Sequence, residues 1–152
     1  MAKKIAATVG KDITGKQKYE IMRSAVSRYN TAMEHNFYLE ATALIESLIA
    51  NRLESRLAEL TSDEVEIDTL GNLIKKINKS ELEPDAELSS IMNKKIIIWC
   101  KKRNITIHRA AKLLKDEKKD FAQFLEAAKD TATEGRKIYD QYNKRLNQLR
   151  KK

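Results

Sequence analysis

The sequence predicts an all-α protein, an up-and-down bundle of four to five helices in a single domain spanning residues 1–152. Helix-forming residues dominate the chain, and the alternation of apolar and polar residues that is typical of strands is scarce. Of the 152 residues, 41% are hydrophobic, with one Pro and four Gly. That length suffices for a buried core, and the composition excludes collagen-like and Pro/Gly-rich disordered chains. We expect residues 1–15 to be a flexible leader.

Apolar residues at spacings of three and four predict the individual helices. The predicted spans are residues 16–33, 37–60, a short third helix over 70–77, a fourth over 85–102, a resumption at 110–114 and a last helix over 118–149. We expect chain breaks at 35–36 and at 103–108. A cap at Asp68 or Thr69 would begin the third helix, and Pro84 fits the first turn of the fourth. Residues 96–99 could instead form a buried strand, but no partner strand is visible.

The net charge of the chain is unevenly distributed. Lys and Arg number 30 against 22 Asp and Glu, a net charge of +8. Residues 91–119 hold ten basic and two acidic residues, whereas residues 31–70 hold two basic and nine acidic ones. A dense basic segment suits a polyanion such as nucleic acid, although a solvated helix face has the same composition. The acidic middle favours a localised basic site or a complementary contact between two copies.

Several classes of site and of protein are excluded by what the chain lacks. Cys100 is the only cysteine, so a disulfide scaffold is excluded, and we expect this thiol to pack beside Trp99. No apolar run is long enough to predict a membrane span, and without an export signal we expect a cytoplasmic protein. The two histidines lack metal-ligand spacing and no Gly-rich phosphate loop is present, so we expect no metal and no cofactor.

The remaining constellation is the segment from Arg103 through Asn104 to His108. Arginine offers a permanent fork-shaped positive charge that fits a phosphate, and histidine can take or give a proton near neutral pH. Together they can promote attack of an RNA 2′-hydroxyl on the adjacent phosphate, with His108 moving the proton and Arg103 stabilising the transition state. Asn104 would orient the motif or contact the substrate. The residues expected to attract the RNA backbone are Lys101, Lys102 and Arg109.

The spacing of this pair is weakly specific by itself. Arg28 and His35 are also separated by a short gap, and His108 could simply be a surface or capping histidine near a helix junction. The polar Asn104, the preceding apolar helix and the basic surroundings favour the later pair. Glu46 lies near the apolar stripe of the second helix and is a candidate supporting group, although an ordinary surface carboxylate explains it as well.

At these residues the chain resembles the HEPN superfamily of all-α domains, whose signature is an Arg, often followed by Asn, and a His after four to six residues. Arg103, Asn104 and His108 match it, and residues 41–46 and 69–74 are similar to the earlier helices of the family. The resemblance implies a homodimer in which two motifs meet at a cleft. It also implies a metal-independent endoribonuclease, commonly a toxin or an antiviral defence effector, with an antitoxin or regulatory partner protein possible. Some members are not catalytic.

A non-catalytic helical module that binds nucleic acid or a partner protein is the alternative function. Under it, the long last helix would dimerise through its near-heptad apolar stripe, whereas packing in the core of one chain explains the same stripe. The two functions differ in whether Arg103 and His108 line a shared cleft or point apart into solvent.

Overall fold

The computed structural model describes residues 15–116 and 121–151, without the side chains of 111–116. Within these ranges every regular element is helical, as the sequence predicts. The elements are α1 (Gly15–Glu34), α2 (Tyr38–Thr61), α3 (Leu70–Lys79), α4 (Ala86–Ile91), a π-helical turn (Met92–Ile96), α5 (Ile97–Asp116) and α6 (Phe121–Arg150). The helices α4 and α5 run on through the π turn as one rod. The predicted leader lies outside the described residues apart from Gly15, with which α1 begins.

Local chemistry explains where the helices begin and end. Asn36 and Ser62 adopt positive φ angles of 61° and 58°, which stop α1 and α2, and asparagine tolerates this left-handed conformation better than most residues. The hydroxyl of Thr69 accepts a hydrogen bond from the backbone N–H of Asn72, so the predicted cap of α3 is confirmed. Asp85 caps α4, and Pro84 therefore precedes the cap rather than lying in the first turn as predicted.

Helix α2 is the centre of the bundle. It packs against α1, α3 and α6, while α5 packs on α6 and α3. Its predicted apolar stripe is buried, which explains why this segment carries the clearest helical periodicity. The largest fully buried side chains are Trp99, Tyr142, Ile45, Ile49, Leu53, Leu70, Leu73, Ile77, Leu88, Met92, Ile96 and Leu146.

The predicted break at 103–108 is wrong, because α5 continues through these residues without interruption. The segment contains neither Gly nor Pro, and its Thr106 is buried against α6. The Thr106 hydroxyl donates to the Lys102 carbonyl at 3.0 Å and lies 3.1 Å from the hydroxyl of Thr131. Tertiary packing therefore keeps a stretch of modest helix formers helical.

Two contacts set how α5 is rotated about its own axis. The indole N–H of Trp99 donates to the Thr131 carbonyl at 2.8 Å, and Thr106 meets the same residue two turns further along. Gly135 lets the two helices approach, because a Cβ there would lie 2.7 Å from the Trp99 ring. The face of α5 that carries Trp99 and Thr106 is thus held against α6.

The amino-terminal end of α6 departs from the predicted stripe. Apolar residues at helical spacing from Phe121 onward predict one buried stripe, but Phe121 is 65% exposed, and only from Ala128 onward are residues of the stripe buried. Among the helices of the described residues, none is both long enough and apolar enough to cross a membrane.

Candidate functional site

Arg103 lies on the flank of α5 that faces α2, where Glu46 meets it. The guanidinium Nη2 donates to the Glu46 carboxylate at 2.5 Å. Both side chains are partly buried, at 22% and 26% exposure. A charged pair in this setting loses little to solvent screening compared with a fully exposed pair. Glu46, the candidate supporting group, therefore holds the Arg103 guanidinium by its Nη2 nitrogen.

The Arg103 guanidinium keeps donors that Glu46 does not use. Nε is buried without a hydrogen-bond partner, and Nη1 donates to no acceptor among the described residues. Burial raises the pKa of the Glu46 carboxyl, and the adjacent Arg103 charge opposes that rise. Glu46 thus orients the guanidinium through one nitrogen, and among the described residues Nη1 has no hydrogen-bond partner.

His108 and Asn104 lie on a different face of α5. Both are exposed, and at a spacing of four they are neighbours on the helix surface. His108 is five positions after Arg103, which rotates the directions of the two side chains apart by about 140° on an α-helix. Within one chain the structure therefore joins Arg103 to Glu46 and groups His108 with Asn104, but it does not bring these two groups together around one point.

The outward face of α5 carries a repeat that sequence reasoning missed. Basic residues occur in adjacent pairs every seven residues, and exposed isoleucines lie between the pairs. The pairs are Lys94–Lys95, Lys101–Lys102 and His108–Arg109, and the isoleucines are Ile98, 58% exposed, and Ile105, 54% exposed. Seven residues correspond to nearly two turns of an α-helix, so the two pairs within α5 lie along one stripe, and Lys94–Lys95 precede them in the π-helical turn. The signal that could have found them is this seven-residue spacing.

The three residues predicted to attract a phosphate backbone differ in their surroundings. Lys102 forms a salt bridge with Glu134 of α6 at 2.6 Å. Lys101 and Arg109 are exposed and have no ion-pair partner within the described part of the chain. Of the three, Lys101 and Arg109 therefore carry the charge that is available to a ligand.

Neither the cysteine nor a metal cluster adds to this site. Burial raises the pKa of the Cys100 thiol, which lies near Arg103 and Glu46, so the neutral thiol is favoured. Over residues 15–116 and 121–151, as far as side chains are described, no three or more His, Cys, Asp and Glu residues are placed to hold a metal ion.

Comparison with known proteins adds no relative. The chain matches no protein-family model, and no curated protein or solved structure is significantly similar to it.

Proposed function

We propose that this protein is a metal-independent endoribonuclease of the HEPN type, in which Arg103 and His108 act on an RNA phosphate. The observation that carries the proposal is the state of Arg103. Its guanidinium is positioned by Glu46 through one nitrogen, while Nη1 has no partner in the described structure. A preorganised donor of this kind is what charge developing on a phosphate requires.

In the proposed reaction the 2′-hydroxyl of one nucleotide attacks the adjacent phosphate and displaces the 5′-oxygen of the next. The products are a 2′,3′-cyclic phosphate and a free 5′-hydroxyl, so no water is consumed in this step. His108 moves protons between these oxygens, and Arg103 stabilises the negative charge on the phosphorane-like transition state. Asn104, a neighbour of His108 on the helix, contacts the substrate.

The divergence of Arg103 and His108 within one chain makes a homodimer part of the proposal. Two α5 helices that face one another can direct Arg103 of one copy and His108 of the other towards the same phosphate.

The test is RNA cleavage in excess chelator by the wild-type protein, by His108→Ala and by Arg103→Ala. Loss of a general acid/base of this kind should lower the rate by about 10²–10⁴-fold. His108 is exposed, so its substitution should leave the unfolding transition in place. Equal cleavage by all three proteins would refute the mechanism.

The chain offers a matched control in its other Arg–His pair. His35 is exposed, with Nδ1 2.9 Å from the Thr31 carbonyl, and Arg28 lines a surface groove with Gln17, Glu20 and Ser24. Cleavage should be unaffected in Arg28→Ala and in His35→Ala. Loss of cleavage in these variants but not in His108→Ala would transfer the active site to the other pair.

The non-catalytic RNA-binding module is favoured by one observation, the angle of about 140° between Arg103 and His108 within a single chain. This alternative expects salt-sensitive RNA binding without cleavage products, because neutralised phosphates release counterions. A wild-type protein that binds RNA as a monomer and leaves it intact would establish it.

A further inference from the structure

The seam between the α4–α5 rod and α6 opens into a surface groove of about 430 Å³. The two helices are antiparallel, and several polar bridges cross the seam, three of which define the position of the groove. Lys102 reaches Glu134, Lys95 reaches the Gln141 side-chain oxygen at 2.7 Å, and Arg145 reaches Glu87 at 3.1 Å. The groove lies between the second and third of these bridges.

The lining of this groove is rich in hydrogen-bond donors. Lys144 has no ion-pair partner among the described residues, and Lys95 is held by an amide oxygen rather than by a carboxylate. Arg145 already binds both nearby acidic groups, with Nη2 2.6 Å from Asp85 and Nε 3.1 Å from Glu87. Lys95 and Lys144 therefore line the groove with ammonium groups that are not bound by a carboxylate of the described residues.

The glutamines of the groove extend the same pattern. The Gln141 oxygen accepts from Lys95, and the Gln148 oxygen lies 3.5 Å from the Arg145 guanidinium. With these acceptors facing cations of the protein, the amide NH₂ groups are what remains for a ligand. An acceptor-only group such as a phosphodiester is the chemical complement of such a surface.

A seven-residue repeat continues this surface along α6. Lys137 and Lys144 are exposed, with Gln141 and Gln148 four residues after them, and Lys151 follows the last residue of the helix. The four positions within α6 form one stripe on the helix. Lys95 lines this groove and is also a member of the first of the basic pairs that continue along α5.

We propose that the groove between α4 and α6 binds the RNA strand that flanks the cleavage site, as a second phosphate-binding site. This inference rests on the proposed function, which supplies RNA as the ligand and His108 as the site of cleavage. The axial distance from Lys95 to His108 is about 20 Å, thirteen residues at 1.5 Å each. A stacked strand of roughly six nucleotides spans that distance. Only RNA longer than this should reach both surfaces.

The test measures RNA binding by proteins that carry His108→Ala. Fluorescence anisotropy reports the binding of labelled single strands of roughly four and roughly twelve nucleotides. Lys144→Glu should weaken binding of the longer strand by about tenfold and reduce its salt slope by about one, but weaken the shorter strand by at most about twofold, because four nucleotides can bind the other basic surface instead. Lys75→Glu is the matched control, because Lys75 is exposed on α3 and the change in net charge is the same.

Equal affinity of the Lys144→Glu and Lys75→Glu proteins for the longer strand would refute the proposal that the groove binds RNA. Equal weakening of both strands by Lys144→Glu would also overturn it, since the groove would then not bind a flanking segment. Failure of the proposed function would be seen in a different experiment, in which a protein carrying only His108→Ala cleaves RNA as fast as the wild type. A protein without cleavage activity can still pass the binding test.

Discussion

Gly135 is the position on α6 where α5 and α2 come closest, and replacing it tests that packing directly. A Cβ there would lie 2.7 Å from Trp99 Cζ2 and 2.8 Å from Ile45 Cγ2. Carbon atoms pack at about 3.5–4.0 Å, so Gly135→Ala creates an overlap of roughly 1 Å. Trp99 and Ile45 are fully buried, and the indole N–H holds the Thr131 carbonyl. Neither side chain has open space in which to withdraw.

The expected cost follows from opposing contributions. Alanine is favoured over glycine in a helix interior by about 1 kcal/mol. Overpacking a core costs about 1–3 kcal/mol, and a Trp99 ring displaced from Thr131 would leave a buried donor unsatisfied at a further cost of about 1–3 kcal/mol. We therefore expect Gly135→Ala to lower the free energy of unfolding by about 1–5 kcal/mol.

Urea unfolding measures this change, and Gly71→Ala is its matched control. A Cβ at Gly71 would meet nothing within 4 Å, so there only the helix propensity acts. We expect Gly71→Ala to be neutral or to raise the free energy of unfolding by up to about 1 kcal/mol. The two alanine substitutions should thus have opposite signs. A Gly135→Ala protein as stable as the wild type would refute the close approach of α6 to Trp99 and Ile45.

Two further predictions concern ionisable groups. Arg103→Met should destabilise the protein more at about pH 7 than at about pH 4. Burial raises the pKa of Glu46, so ionisation of that carboxyl opposes folding as the pH rises, and the variant lacks the cation that compensates for it. Urea unfolding at the two pH values measures the effect. In the double variant Arg103→Met/Glu46→Gln, the loss of stability should be the same at both pH values. Asp85, bonded to Arg145, has its pKa lowered to about 2. The stability that its charge adds is complete above the unfolded pKa of about 3.8 and is lost as the pH falls through about 2. In thermal unfolding, the wild-type protein should therefore be more stable than Asp85→Asn by an amount that shrinks across that interval. A stability difference that does not change with pH would contradict the ion pair.

The sequence-based predictions succeeded where a feature depends on near neighbours along the chain. The break at 35–36 coincides with the positive φ of Asn36, and the Thr69 cap uses a residue three positions later. They failed where distant contacts decide. The segment 103–108 contains modest helix formers, yet Thr106 packs against Thr131 and the helix continues. At Phe121 the apolar spacing predicted burial, but the side chain is largely exposed.

The sequence by itself determined the all-α class, the order of the helices and the presence of an Arg–Asn–His motif within a basic segment. These features follow from periodicity and composition, which are local. Only the tertiary structure decided which way α5 is turned. Contacts of Trp99 and Thr106 with Thr131 hold one face of α5 against α6, so Arg103 meets Glu46 and His108 faces solvent. The rotation of a helix about its axis depends on residues far away in the chain, which helical periodicity does not specify.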